Sequence, residues 1–528
     1  MSDLRKLIGQ LLIVGFEGHT PSKEIETLIR DYHVGNIILF VRNCESPQQI
    51  LDLTHSLQQI AKEAGHKHPL FISIDQENGL VSRIGPPMAP QFPGGMTLGA
   101  INSTEAVYES YKATSEYLRF YGIQYNYAPV GDVNNNPANP VIGVRSYSDD
   151  PHRVAEFVTA AVKGHRAGNV VTSVKHFPGH GDTSIDSHHN TAVIDKNLEA
   201  LEKCELVPFQ HSLEADSIMM AHVIIPALGD DLPCSISPSA IKYLKETINY
   251  KGLVITDCLT MNAVSEPFGV GQGAVMCVQA GADCPMICHH FNLQVEGITS
   301  IEEAVHKGSI SRDQLEASLK KVYALKEQFL SWEDALEKRD LSKMKRIEEN
   351  NEFSKSLYAK STTVIRRDNS LPYKQNETIA YVIPTNPKKH SFSGAVNVRH
   401  ATRFIPPSFE VALKSRGVNV VECGYEPEDA VNKFDEDIAK ADRILVVSRS
   451  AHLQTFQKDI VSHISKLGKP LTVIATDVPY DYLSKKDAEM VPTYICTYEP
   501  TLTAFEAALD VLFGDAPGTT GVCPVKFD

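Results

Sequence analysis

The chain has 528 residues, enough for two or more domains, with 42% hydrophobic and 22% charged residues and a net charge of −14. That composition is that of an ordinary water-soluble globular protein. The excess of acid argues against a nucleic-acid binder and against a basic protein of membrane surfaces.

The N-terminal stretch MSDLRKLIGQLLIVGF places Arg5 and Lys6 before an apolar run. Gln10 interrupts the run and no small-residue cleavage site follows, so we read a first core strand rather than a secretory signal. Short, nearly continuous apolar runs then recur: QLLIVGF (10–16), NIILFV (36–41), LFISID (70–75), YNYAPVGDV (125–133), VVTSVKHF (170–177), SIMMAHV (217–223), GLVITD (252–257) and CPMICH (284–289). Unbroken rather than alternating runs are expected of parallel strands covered on both faces. Between the first two, Ile25, Leu28, Ile29 and Tyr32 follow helical spacing after a capping Ser22, and Ile50, Leu53, Leu57 and Ile60 do so between the next two. Eight strand–helix units predict a (β/α)8 barrel of the α/β class over residues 1–330.

Residues 331–356 are densely charged and lack Gly and Pro, predicting a solvated helical connector. Alternation resumes in TIAYVIP (378–384), VNVVEC (418–423), RILVVSR (443–449), LTVIATD (471–477) and TYICTY (493–498). Leu502, Phe505, Leu509 and Leu512 fit a final helix. Residues 357–528 therefore read as a smaller α/β domain with a mainly parallel open sheet. No Gly-rich phosphate loop occurs in it, and no run approaches the length of a transmembrane helix. Ten cysteines without a C-x-x-C pair read as reduced thiols, which together with the missing signal implies a cytoplasmic protein.

Polar residues cluster at the C-terminal ends of the runs: Asp75, Asp132, Lys175, His176, His222, Asp257 and His289. Those positions face the mouth of a barrel, where such folds place their chemistry. The segment KHFPGHGDTSIDSHHNT (175–191) adds further histidines and aspartates on a stretch that Pro178, Gly179 and Gly181 keep from being helical. A metal site is one reading, with a metal-dependent hydrolase as its consequence. Yet His176 and His180 straddle Pro-Gly and match no zinc spacing, so we expect no metal and no cofactor. The other reading is a proton donor. Asp186 and His188, two apart on an extended segment, lie on one side. A carboxylate on one ring nitrogen fixes the tautomer and leaves the other nitrogen to exchange a proton. Asp257 is the candidate nucleophile opposite it.

KHFPGHGDTSIDSH, with IDQENGLVSR (74–83), GVRSYS (143–148) and VITD (254–257), resembles family 3 of the glycoside hydrolases, in particular its β-N-acetylglucosaminidase branch. The resemblance implies that Asp257 is the nucleophile, His188 the general acid/base and Asp186 its dyad partner. It implies that Asp75, Arg83, Arg145, Lys175 and His176 bind sugar hydroxyls, and that the substrate is a small carbohydrate with a terminal β-linked N-acetylglucosamine. An imidazole in place of a carboxylate base carries no negative charge, so phosphate can compete with water as acceptor. The chain departs from the family pattern at Asn78, usually Gly, at Leu80, commonly Arg, and at Cys258, commonly acidic.

Overall fold

The computed structural model describes residues 3–183, 192–344, 346–385, 407–516 and 520–526. Its strands, in chain order, are β1 (Ile13–Val14), β2 (Asn36–Leu39), β3 (Phe71–Ile74), β4 (Tyr125–Asn126), β5 (Val171–Phe177), β6 (Ala192–Val193), β7 (Ser217–Met220), β8 (Val223–Ile224), β9 (Leu253–Cys258) and β10 (Cys284–Ile287). Eight of them close a barrel in the order β1-β10-β9-β7-β5-β4-β3-β2, while β6 and β8 form a separate two-stranded sheet. Every pairing round the barrel is parallel. The predicted (β/α)8 barrel is the observed one.

Three runs are cut back most. Of QLLIVGF only Ile13–Val14 is strand, because Leu4, Leu7, Ile8 and Leu11 carry helical spacing and bury one face of a helix over Asp3–Leu11. YNYAPVGDV keeps two strand residues, Tyr125–Asn126, and its pairing is interrupted where Pro129 has no N–H to donate, resuming as a single bridge between Val130 and Lys175. SIMMAHV ends its barrel strand at Met220 and contributes Val223 to the small sheet. The helices read from periodicity form as expected. Lys23–Asp31 is capped by the Ser22 hydroxyl, which accepts from Ile25 N at 3.4 Å, and Pro47–Glu63 buries Ile50, Leu53, Leu57 and Ile60.

After the barrel come helices Trp332–Ala335 and Ile347–Ser361. They lie against the barrel rather than in open solvent: Trp332 Nε1 donates to Lys67 O at 3.2 Å, and the Ser354 hydroxyl donates to Gln91 O. A second sheet follows, with β11 (Thr363–Arg366), β12 (Thr378–Pro384), β13 (Asn419–Tyr425), β14 (Arg443–Ser448), β15 (Leu471–Ala475) and β16 (Thr493–Cys496) in the order β11-β16-β15-β14-β12-β13. All its pairings are parallel except the edge strand β11, which runs antiparallel to β16. The final helix, Leu502–Phe513, buries Phe505, Leu509 and Leu512 on one face of this sheet, with Leu502 left exposed.

The opposite face is covered partly by the barrel itself. Leu80, Met96, Ala100 and Val144 share one apolar core with Val446, Val473, Val478 and Tyr498. Leu80, where the family resemblance suggests an arginine, is thus part of an apolar seam between the two domains. No helix among the described residues is long and apolar enough to cross a membrane.

Candidate active site

The loop after β3 begins with Asp75 and Glu77, whose carboxylates do different work. Asp75 Oδ1 accepts from Lys175 Nζ at 2.8 Å, and its Oδ2 lies 3.3 Å from Arg83 Nη2. Glu77 receives a bidentate fork from Arg145, Nε to Oε2 at 2.9 Å and Nη2 to Oε1 at 2.8 Å. Lys175 Nζ also reaches Glu77 Oε1, at 2.6 Å. Lys175 therefore bridges both acids. Burial works against a charged Glu77, but Arg145 and Lys175 outweigh it and hold the carboxyl far below the usual range. The same contest, settled by Lys175 and Arg83, lowers Asp75. Lys175 is in turn raised, with burial opposed by those two acids.

Asn78 follows at φ 70°. This left-handed conformation favours glycine, and asparagine is one of the few other residues that adopt it readily. The Asn78 amide donates to Thr114 Oγ1 at 3.0 Å, fixing the turn. That is why asparagine can stand where the family usually has glycine.

β5 supplies two consecutive site residues. The register between β5 and β7 shifts between Lys175 and Phe177, so His176 is the extra residue of a bulge. A bulge re-aims side chains that would otherwise alternate in and out. Here Lys175 meets Asp75 and Glu77, while His176 Nδ1 lies 2.7 Å from Asp132 Oδ2. Arg145 Nη2 approaches His176 Nε2 at 3.4 Å. These partners select the tautomer in which Nδ1–H donates to the carboxylate and Nε2 accepts. Asp132 is wholly buried and also accepts from the backbone N–H of His176 at 3.2 Å and of His180 at 2.7 Å. It braces the root of the 175–191 segment rather than facing the mouth.

Asp257 is the penultimate residue of β9, half-buried, and its Oδ1 accepts from Cys258 N at 2.7 Å. The Cys258 carbonyl is held by His222 Nε2 at 2.9 Å, and His222 Nδ1 lies 2.6 Å from Ser235 Oγ. His222 buttresses the strand end that carries Asp257. Cys258 Sγ accepts from Cys288 N at 3.2 Å and lies 3.1 Å from Thr260 Oγ1. Burial alone would raise this thiol, but its bonds to Cys288 and Thr260 bring it below the ordinary value.

The structure thus brings Asp75, Arg83, Arg145, Lys175 and His176 into one bonded cluster and places Asp257 at the end of β9 in the same barrel mouth. Asp186 and His188 lie outside the described residues. Glu77 was not singled out from the sequence, nor was Asn139, whose amide donates to His180 O at 2.8 Å, Gly181 O at 2.9 Å and Thr183 Oγ1 at 3.1 Å. For Glu77 the available signal was its spacing, two residues beyond Asp75 and hence on the same side of an extended segment. Asn139 offered none. Among the described residues no three His, Cys, Asp or Glu side chains are grouped as metal ligands.

The profile described as glycosyl hydrolase family 3 N terminal domain matches residues 3–325, all of the barrel. The chain belongs to glycosyl hydrolase family 3. Within the family it is similar along most of its length to a beta-hexosaminidase A of Pseudoalteromonas piscicida, 28% identical over 90% of this chain and 88% of that one. A solved family 3 beta-N-acetylglucosaminidase from Paenibacillus sp. FPU-7 shares 33% identity, covers 100% of this chain and 99% of its own, and superposes with a TM-score of 0.90. A fungal multi-domain family 3 beta-N-acetylglucosaminidase shares 41% identity and a TM-score of 0.92, and this chain spans 61% of its length. Both similarities extend through the second sheet, so the two-domain arrangement is that of these family 3 enzymes.

Proposed function

We propose that this family 3 glycoside hydrolase removes terminal, non-reducing β-linked N-acetylglucosamine with retention of configuration. The supporting observation is the bonded cluster of Asp75, Lys175, Glu77 and Arg145 in the mouth that also holds Asp257. Its cations are matched by carboxylates, so it offers paired donors and acceptors to a neutral sugar instead of a net charge to an anion. The names of the relatives above supply the N-acetylglucosamine specificity.

In this reading Asp257 attacks the anomeric carbon and a covalent glycosyl-enzyme forms. The Cys258 N–H on its carboxylate orients the attacking group. His188, steadied by Asp186, protonates the departing oxygen and then, neutral, takes a proton from water. Arg83, Arg145, Lys175, His176 and Asp75 hold the sugar's hydroxyls. Residues 1–330 form the catalytic unit, 331–356 the connector and 357–528 the second domain, and the protein acts in the cytoplasm on small carbohydrates.

A fluorinated N-acetylglucosaminide that traps the glycosyl-enzyme is expected to label Asp257 stoichiometrically, read by peptide mass spectrometry. Label on another residue, or turnover of an aryl β-glucoside as fast as of the β-N-acetylglucosaminide, would sink the reading.

A further inference from the structure

His452 lies in the second domain, on the short turn after β14, yet it touches the barrel. Its Nδ1 is 3.1 Å from Asp481 Oδ1, and its Nε2 is 3.0 Å from Pro137 O. Both neighbours are pure acceptors, so both ring nitrogens must donate, and only the imidazolium does that. Asp481 is itself fixed: its Oδ2 accepts from Ser448 Oγ at 2.7 Å, and its Oδ1 also faces His452 N at 3.1 Å. The other charged and titratable groups about the ring are Asp477, Tyr480 at 5.5 Å between ring centroids and Arg449 from the second domain, with Arg145 across the seam. Asp477 and Asp481 favour the charged ring, and His452 is raised above its ordinary value although burial opposes it.

What the ring grips matters more than the grip. Pro137 lies in the loop that runs from β4 to Arg145. Two residues on, Asn139 spans the loop: its Oδ1 accepts from Val141 N at 2.8 Å and Ile142 N at 2.7 Å. Its Nδ2 binds His180 O, Gly181 O and Thr183 Oγ1. Farther along, Arg145 donates to Val141 O at 3.2 Å before reaching Glu77. A second strut joins the same loop to the second domain, Asn134 Nδ2 to Tyr480 OH at 3.1 Å.

We infer that His452 is a positioning residue for the reaction: through Pro137 and Asn139, the second domain sets where the acid/base segment leaves the barrel. This gives the second domain a share in the chemistry without a residue of its own on the sugar. The inference rests on the proposal that the segment beginning at His180 carries the acid/base.

The test compares H452A, H452Q and H188A on two aryl β-N-acetylglucosaminides, one with a leaving group that needs protonation and one, dinitrophenyl, that does not. H452A is expected to lose roughly 10- to 100-fold in kcat on the first and less than about twofold on the second. H452Q, whose amide nitrogen can replace Nε2, is expected to recover most of the loss. Equal losses on both substrates, no loss, or no recovery in H452Q overturns the inference. H188A should show the same leaving-group dependence more strongly; if it does not, the acid/base reading fails. Hydrogen–deuterium exchange then still decides on His452. Amides of the 176–183 peptide should exchange faster in H452A than in the wild type, and unchanged exchange there overturns the linkage whatever the kinetics show.

Discussion

Replacing Glu77 by Gln tests whether the buried cluster is what holds the sugar-binding cations. The side chains of Glu77 and Arg145 are 5% and 7% exposed, and Lys175 is 3% exposed. Glutamine keeps the shape but removes the charge that two cations share. Its oxygen, placed at the Oε1 position, can still accept from Lys175 and Arg145 Nη2, while its NH2 group is turned on Arg145 Nε. Breaking a buried pair from one side costs about 3–5 kcal/mol, because the remaining charge stays out of water without a partner. At about 2 °C per kcal/mol for a large domain, the barrel's thermal midpoint should drop by roughly 6–10 °C. Arg145 and Lys175 lose their common anchor, so kcat/KM on an aryl β-N-acetylglucosaminide should fall by about 100-fold for a displacement near 1 Å. The pH dependence has a definite sign. The folded-state pKa of Glu77 lies below its ordinary 4.5, so its contribution is full above that value and is lost as pH falls toward the folded one. The variant should lack this part of the acid limb. Differential scanning calorimetry across pH, with kinetics at neutral pH, reads all three effects. An E77Q protein with a midpoint within about 1 °C of wild type and an unchanged KM would refute the reasoning.

Two other predictions follow from close contacts. A Cβ on Gly181 would sit 1.6 Å from Val133 O, so G181A must shift the backbone that Asn139 grips. It should slow substrates with poor leaving groups by about 100-fold while dinitrophenyl substrates react almost normally, checked by the same pair of assays as His452. Glu499 accepts from Gly94 N at 2.5 Å, Thr97 Oγ1 at 2.8 Å and Tyr358 OH at 2.8 Å, joining the second domain to the barrel. Burial outweighs those bonds and pushes its carboxyl up to about 7 from 4.5. A raised acid is stabilising below its unfolded pKa, and that contribution, about 3 kcal/mol, is lost as pH rises through the folded value. The thermal midpoint of wild type should therefore decline between pH 4.5 and 7, and that of E499Q should not. Parallel midpoint curves for the two proteins would rule this out.

The barrel was readable because its strands are buried on both faces and announce themselves as apolar runs, six of the eight with a polar residue at or near their C-terminal end. Where a run was cut back, a local competitor won: the helical spacing of Leu4, Leu7, Ile8 and Leu11, or Pro129 interrupting the ladder between Asn126 and the bridge at Val130. The same logic located Asp75, Lys175, His176 and Asp257 at the mouth without any partner being known. Partners were the part beyond reach. Glu77 is one acid among many until the turn at Asn78, the bulge at His176 and the loop to Arg145 are brought together. The struts from the second domain are harder still. Glu499 bonds across 405 positions to Gly94, and His452 across 315 to Pro137. No periodicity or motif links residues so far apart; the packing of Leu80, Met96, Ala100 and Val144 into the second domain's core makes them neighbours.

Asp75 and Glu77 show how two like residues on one loop are made to differ. Both are lowered carboxylates that share Lys175. Glu77 is closed off by the Arg145 fork, with both oxygens used and its side chain 5% exposed. Asp75 is 16% exposed and its second partner, Arg83, stands off at 3.3 Å. A hydroxyl arriving from the mouth can therefore bond Asp75 without first breaking a strong contact, whereas at Glu77 it would have to displace a bidentate pair. In the proposed reaction Asp75 is thus the group that meets sugar. Glu77 is the fixed charge that keeps Lys175 and Arg145 extended before the sugar arrives, so their ordering is complete in the free enzyme and is not drawn from binding.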